Sequence, residues 1–554
     1  MSNQASATRS WWRDAVIYQV YIRSFADGNG DGVGDVAGLR SRLPYLAALG
    51  VDALWLNPWY ASPQVDAGYD VSDYRQLDPL FGTLEEAEAL IAEAHEHGLR
   101  VILDIVPNHT SDQHPWFQEA LAAEPDSAAR SRYHFRPGRG VDGAEPPSDW
   151  PSIFGGPAWT RTVDADGKPG DWYLHLFAPE QPDLNWSNAE VHKEFEDILR
   201  FWLDLGADGF RIDVAQGLTK DPAFPDLAGR NAGGMLDLAT ADHPYFDRDE
   251  TLAVYEEWRR VLDAYDGDRV FVAEAWVADA SRIARYLAPA RLHTAFNFGL
   301  LSCPWEADAL RSEIDATLEV LAAAGAPATW VLSNHDVIRH ATRYGRERTS
   351  LGAAKRSYGM PVDRAVGGRR ARAAVQLINA LPGGTYLYQG EELGLFEVED
   401  LAPEVWQDPN RRYADHVGPV RDGCRVPLPW SGGGASFGFS PREAAAPWLP
   451  QPAGWGDFSV AAQEQDPQST LSHYRALLQI RKEWLDRGLG DGTPLEWIEA
   501  PPEVLAFRRG EVVCYANLSG MPVELPSGYR VLISSEPVVG RRLPADVTVW
   551  LVAE

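Results

Sequence analysis

A (β/α)8 TIM barrel, with an inserted subdomain after its third strand and a C-terminal antiparallel β domain, is the α/β fold this 554-residue sequence predicts. Three observations point to it. Short apolar runs alternate with helical stripes through most of the chain, the pattern of βα units wound around a parallel sheet. The rhythm lapses from about 110 to 182, a stretch rich in Pro, Gly, Asp and aromatics that is too long for a plain connection. From about 490 the text changes to short alternating strands separated by turn residues.

The elements follow in order. AVIYQVYIRSF (15–25) reads as the first strand. Leu39, Leu43, Leu46 and Leu49 then share one helical face that stops at Gly50, before the buried-strand run VDALWLNP (51–58). Leu84, Ala87, Leu90, Ile91 and Ala94 mark the next helix, closed by Gly98, and RVILDIVPN (100–108) is the third strand. After the insertion, Asn188 caps a helix whose Val191, Phe195, Ile198, Leu199 and Trp202 face the core, and GFRIDV (209–214) follows. FVAEAW (271–276), HTAFNFGL (293–300), TWVLSNHD (329–336) and GTYLYQGEELG (384–394) complete eight strands, which is enough to close a barrel. The basic stretch within 339–372 reads as a loop and helix start with a solvated face. The division this implies is a barrel over 1–107 and 183–486, an inserted subdomain over 108–182 and a β-sandwich domain over 487–554.

Composition narrows the partners. Eighty acidic against 50 basic residues leave a net charge of −30, which repels phosphate backbones and anionic lipid, so neither nucleic acid nor a membrane surface is expected. Three widely spaced cysteines, Cys303, Cys424 and Cys514, argue against a disulfide framework. With no signal-like N-terminus and no apolar run long enough to span a bilayer, a cytoplasmic location is the expectation. A monomer or a homodimer is equally compatible with the sequence.

The chemistry sits at strand ends. Asp213, Glu274 and Asp336 each close an apolar run, and a barrel brings the C-terminal ends of its strands to one face. Converging carboxyls of this kind point to cleavage of a glycosidic bond, where one ionised carboxylate attacks and one protonated carboxyl serves the leaving oxygen. Arg211, two residues before Asp213 and on the same strand face, is placed to keep the attacking carboxylate ionised, while neighbouring charge and burial raise Glu274. Taken singly, a strand-end Asp can be a helix cap, and His109 or His335 an ordinary hydrogen-bonded histidine.

The ordered blocks GYDVSDY (68–74), DIVPNHTS (104–111), QPDLNW (181–186), GFRIDV, VAEAW and SNHD strongly resemble the α-amylase superfamily of glycoside hydrolases (family 13), within it the oligo-1,6-glucosidase and α-glucosidase group. The resemblance covers most of the chain. It implies Asp213 as nucleophile, Glu274 as general acid/base and Asp336 as the group that holds the substrate and stabilises the transition state. It also implies that Asp70, His109, Arg211 and His335 grip the non-reducing glucose. Tyr69 and Phe177 look like stacking walls, with a core aromatic as the alternative for each. RDGCRVPLPW (421–430) is similar to a block of this group, with Arg425 as a pocket guanidinium and Arg421 open to a surface ion pair.

A further signal is DGNGDGVGD (27–35), which sets Asp27, Asn29, Asp31 and Asp35 at positions 1, 3, 5 and 9, with the Val33 carbonyl at 7. This is calcium-loop spacing, but position 12 is Gly38 rather than a bidentate Glu, so the loop is not an EF-hand. A Gly/Asp-rich turn is the plain reading. Similar loops in the resembled group hold calcium, so a structural Ca²⁺ is expected, with Mg²⁺ as a possible substitute.

The resemblance implies a retaining, exo-acting α-glucosidase that takes glucose from short α-glucosides such as maltose or malto- and isomalto-oligosaccharides. Val214 accompanies α-1,6 preference in the group, whereas the longer text GFRIDVAQGLTKD resembles maltose-type enzymes, and α-1,4 is favoured. The alternatives are an oligo-1,6-glucosidase and a trehalose- or isomaltulose-forming transglucosylase. An alternative of another class is a non-catalytic transporter partner, which the retained acids and the lack of an anchor disfavour.

Overall fold

The computed structural model describes residues 10–163, 167–227, 243–277, 279–413 and 420–554. Eight parallel strands form its central sheet: β1 (Val16–Val20), β2 (Ala53–Leu56), β3 (Arg100–Ile105), β4 (Gly209–Ile212), β5 (Val270–Ala273), β6 (Thr294–Ala295), β7 (Thr329–Val331) and β8 (Gly384–Tyr388). Each pairs with its neighbour in chain order from β1 to β6, and β8 pairs with both β1 and β7. Between β6 and β7 the Thr329 hydroxyl donates to the Ala295 carbonyl, which brings the last two strands together.

Side-chain parity explains where the site forms. Successive strand residues face opposite sides. One set (Ile17, Ala53, Trp55, Ile102, Val272, Val331 and Tyr386) packs into a single interior cluster. The alternate set (Tyr18, Leu54, Val101, Leu103, Phe210, Phe271 and Trp330) packs outward into the larger core. Counting on by two from the inward residues gives Gln19, Asn57 and Asp104, and the same parity carries Glu274 inward beyond Val272. Polar groups thus cap the apolar barrel interior at its C-terminal end.

The helices cover the outer face. Residues 36–49 form two helices rather than one, Val36–Ser41 and Leu43–Leu49, with Pro44 in the first turn of the second. Gly50 ends that turn at φ 95°, a conformation that favours glycine. Leu84–Glu96 starts from a Thr83–Glu86 capping box, and Ala189–Asp204 from Asn188, whose side chain accepts from the Glu190 N–H.

Two further regions differ from the sequence expectation. In HTAFNFGL only Thr294–Ala295 pairs as a strand, because the Asn297 side chain accepts from Leu300 N and starts the helix Phe298–Ser302. The basic stretch after 339 is a solvated face only in part: Arg348, Lys355, Arg356 and Arg364 are exposed. It holds the helices His340–Tyr344, Leu351–Arg356 and Arg364–Asn379, and Arg339, Arg343 and Arg346 are buried. Arg339 donates to the carbonyls of Gln389 and Cys424, and Arg343 to those of Leu301 and Leu332, so these cations tie loops together.

Between β3 and β4 the chain adds the helix Pro115–Ala122 and a three-stranded antiparallel sheet of Phe135–Arg136, Pro169–Leu174 and Trp159–Val163. At the C-terminus a five-stranded antiparallel sheet runs in the order Glu496–Trp497, Val504–Arg509, Val512–Asn517, Val547–Ala553, Tyr529–Ser534, with a two-stranded partner. It docks on Arg364–Asn379 through Trp550, whose indole donates to the Gln376 carbonyl, and through Asp546, which pairs with Arg369 and Arg370. The three cysteines are free. No helix among the described residues is long and apolar enough to cross a membrane.

Candidate active site

Arg211 is the hub. Its side chain is buried, and its Nη1 donates to Asp104 Oδ1 at 2.9 Å and to Asp213 Oδ1 at 2.6 Å, while Nη2 lies 2.7 Å from Glu274 Oε2. Three carboxyls from β3, β4 and β5 thus share one guanidinium, which stands 5.0 Å from the Trp55 ring centre. Among the described residues no donor reaches Asp213 Oδ2, which leaves that oxygen available.

Charge balance follows from this geometry. Three ionised carboxylates around one cation would leave surplus negative charge in a buried space, so the set favours retaining a proton. Burial raises Asp104 to about 6, against the pull of Arg211. Burial likewise pushes Asp213 well up, opposed by Arg211 and reinforced by Glu274 and Asp104. Arg211 therefore does touch Asp213 as the sequence suggested, but burial outweighs it.

Among the described residues three donors hold Glu274. Besides Arg211, the Val214 backbone N–H donates to Oε2 at 3.1 Å and the Trp276 indole N–H to Oε1 at 3.0 Å. Val214 reaches that position at φ 44°, an unusual backbone for a β-branched residue.

Opposite this set stands the 333–336 turn. Gln19 donates its amide to His335 Nδ1 at 2.7 Å, which places the imidazole proton on Nε2, 2.8 Å from Tyr69 Oη and 3.2 Å from Asp336 Oδ2. Tyr69 in turn accepts from Asn57 Nδ2 and donates to Asp104 Oδ2, so His335 and Arg211 belong to one network. Burial keeps His335 well below its usual pKa, hence neutral. Burial would raise Asp336, but the neighbouring His335, Arg421 and Arg425 hold it well below the carboxylate range. With His335 neutral, the two guanidiniums carry that effect.

Arg425 Nη2 lies 2.8 Å from Asp336 Oδ1, with its Nε on the His335 carbonyl. Arg421 reaches the same Oδ1 at 3.2 Å and also bonds Asp66 and Asp408, at 2.8 and 2.9 Å. Arg421 is thus part of the site, not a surface ion pair. Asp66, Asp104, Asp408 and Trp276 were not singled out from sequence. Asp104 had a usable signal, since register sets it beside Arg211 in the adjoining strands.

The remaining sequence candidates lie close by in different ways. Asp70 is fully buried and its carboxylate accepts the Val65 and Asp66 amides at 2.9 and 3.0 Å, shaping the turn that presents Asp66. Burial raises it to about 6. His109, lowered to about 4 by burial, lies 3.1 Å from both the Tyr69 carbonyl and Gln181 Nε2. Phe177 packs on His109 and Phe154, at 5.1 and 5.5 Å between ring centres, and Tyr69 stacks on His335 at 5.4 Å.

The 27–35 loop lies apart from these groups in the hydrogen-bond network. Asp27 accepts the amides of Gly30 and Gly32, Asn29 Oδ1 that of Asp31, and Asp31 that of Val33. Asp35 caps Val36–Ser41 and also accepts from Gly28 and Asn29. Gly30 and Gly32 hold φ of 88° and 90°, which suits glycine. No cluster of three or more His, Cys, Asp or Glu placed to hold a metal occurs among the described residues.

Comparison with known proteins gives this geometry its context. Residues 19–488 match the α-amylase catalytic domain. A probable alpha-glucosidase of Rhizobium meliloti is 39% identical over 540 residues, covering 92% of this chain and 90% of that protein. An oligo-1,6-glucosidase of Parageobacillus thermoglucosidasius is 34% identical over 509 residues, covering 86% and 84%. The crystal structure of an alpha-glucosyl transfer enzyme superposes with a TM-score of 0.84 at 36% identity, covering 99% of this chain and 100% of that one. With its eight-stranded barrel and its acids gathered at the strand ends, the chain belongs to the α-amylase family of glycoside hydrolases, family 13, and within it to the glucosidases.

Proposed function

We propose that the protein is a retaining, exo-acting α-glucosidase that releases glucose from the non-reducing end of short α-glucosides, with α-1,4 bonds favoured. The observation that carries this reading is the single guanidinium of Arg211 touching both Asp213 and Glu274. One planar fork holds the two carboxyls close, which supports the separation of about 5–5.5 Å used by retaining enzymes over the wider gap of inverting ones.

In this mechanism the one proton that the buried carboxyl set retains stands on Glu274 when the substrate is bound, so Asp213, ionised beside Arg211, attacks the anomeric carbon through Oδ2 while Glu274 delivers that proton to the departing glycosidic oxygen, forming a glucosyl ester on Asp213. Glu274, now a carboxylate, takes a proton from water, which attacks the ester and restores Asp213. Asp336, kept ionised by Arg421 and Arg425, accepts hydrogen bonds from sugar hydroxyls, with His335, His109 and Arg211 as further polar contacts and Tyr69 and Phe177 as apolar walls. Arg421, bonded to Asp66 as well as to Asp336 and Asp408, supports a pocket closed at one end, the shape of an exo enzyme.

Transglucosylation differs only in the acceptor, a sugar hydroxyl in place of water, and the likeness to the transfer enzyme favours it as the second reading. Initial rates on maltose, isomaltose, sucrose and trehalose, with products resolved by chromatography, test these readings. Glucose alone, formed fastest from maltose, supports the proposal. Dominant isomaltose cleavage would replace it with an oligo-1,6-glucosidase, and trisaccharide or isomerised disaccharide as main product with a transferase.

The 27–35 loop would hold a structural Ca²⁺, or Mg²⁺, through Asp27, Asn29, Asp31, Asp35 and the Val33 carbonyl. This donor set is all oxygen, as a hard cation requires, and carboxylates that already accept backbone amides keep further lone pairs. The ion would brace the loop after β1 and take no part in the reaction.

A further inference from the structure

Trp276 stands beside Glu274 with a fixed ring. Its indole lies on Phe298 with ring centres 3.7 Å and planes 5° apart, the closest ring pair among the described residues. Phe298 is buried, opens the short helix capped by Asn297, and packs on Phe296 in the barrel interior. The ring therefore cannot turn freely, and its Nε1–H stays directed at Glu274 Oε1, 3.0 Å away.

An indole N–H donates and cannot accept. Trp276 can therefore serve Glu274 only by donating into a lone pair, an interaction that strengthens as the carboxyl ionises. The other oxygen, Oε2, is held by Val214 N–H and Arg211 Nη2. Of the three donors, Arg211 also binds Asp104 and Asp213, and Val214 is the residue after Asp213. Among the described residues, Trp276 is the one side-chain donor to Glu274 that does not also bond Asp104 or Asp213.

We propose that Trp276 is the positioning residue of Glu274: its indole N–H, locked by the stack on Phe298, fixes the orientation in which the carboxyl meets the departing oxygen. The inference rests on Glu274 as general acid. The charged groups facing Glu274 are Arg211 and Asp213 from the β4 end and Asp104 from β3, and all three remain when Trp276 is changed.

Trp276→Phe keeps a ring for the stack and removes the N–H. Without the donor the carboxyl is free to turn, so kcat falls about tenfold on maltose but less than about threefold on 4-nitrophenyl α-glucoside, whose leaving group needs little protonation. Equal losses on the two substrates overturn the proposal. If Trp276→Phe does not fold, Phe298→Leu decides, because it keeps the N–H but releases the ring. A larger loss on maltose than on the aryl glucoside is expected, and equal losses overturn the proposal. Glu274→Gln on the same two substrates tests the underlying role separately. Equal losses there remove the acid role itself, whereas unequal losses beside equal losses in Trp276→Phe remove only the positioning role.

Discussion

The backbone N–H of Val214 donates to Glu274 Oε2 at 3.1 Å, and Val214 holds φ 44° to do so. A β-branched residue in that region stores about 1–3 kcal/mol of strain. The strained peptide directly follows Asp213, so one turn presents Asp213 and tethers Glu274.

Val214→Gly relieves the strain but gives up a buried side chain worth about 2 kcal/mol, so the two effects nearly offset. Chemical denaturation is expected to show a stability change within about 1 kcal/mol. A loss above about 3 kcal/mol would mean that the turn is not strained.

Arg211→Met leaves Asp104, Asp213 and Glu274 without their shared cation. Breaking a buried pair in this way costs about 3–5 kcal/mol. Without the guanidinium, Asp104 and Asp213 rise further above their unfolded values, so the folded state binds more protons than the unfolded chain across a wider pH range. The destabilisation should grow as pH rises, giving a larger drop in Tm at pH 8 than at pH 5. Equal drops at both pH values would contradict the shared-charge arrangement.

The stability of the parent chain should peak near neutrality. Burial lowers His109, His114, His175 and His473 to about 4 and His293 to about 3. The unfolded chain then binds more protons below about pH 6.5, and stability is lost as pH falls from there. Burial raises Glu391 and Glu397 to about 8, so the folded state binds more protons above pH 4.5 and stability falls as pH rises towards 8. Asp70 and Asp104, raised to about 6, act in the same sense as the glutamates but are outnumbered by the imidazoles below pH 6.5. Tm measured from pH 4 to 9 should show a maximum between about 6 and 7. A Tm still rising above pH 8 would refute this balance.

If the 27–35 loop takes calcium, a chelator should lower Tm while leaving kcat unchanged, and added Ca²⁺ should restore Tm. Mg²⁺ in place of Ca²⁺ would show a smaller recovery if the loop prefers the larger ion. An unchanged Tm through chelation and readdition would contradict the site.

The barrel was legible because strand and helix periods alternate strongly and because glycines such as Gly50 stand where helices end. The placement of Asp213 and Glu274 at adjoining strand ends was legible because each closes an apolar run within the ordered blocks. Contacts between segments far apart in sequence were not. Arg421 meets Asp66 across 355 positions, and nothing local distinguishes it from a surface arginine. Within the basic 339–372 stretch the burial of Arg339 was hidden for the same reason, since the carbonyls that bury it belong to residues 389 and 424. Trp276 was visible in VAEAW, but its role depends on Phe298, which falls where a strand was expected and a helix formed.

The central claim is that Asp213 forms the covalent intermediate, and trapping tests it most directly. The protein would be incubated with 5-fluoro-α-glucosyl fluoride, which slows hydrolysis of the ester, then digested and analysed by mass spectrometry. A single fluoroglucosyl group on the peptide containing Asp213 is the predicted result. Labelling of a different carboxylate, or steady turnover with no labelled peptide, would contradict it.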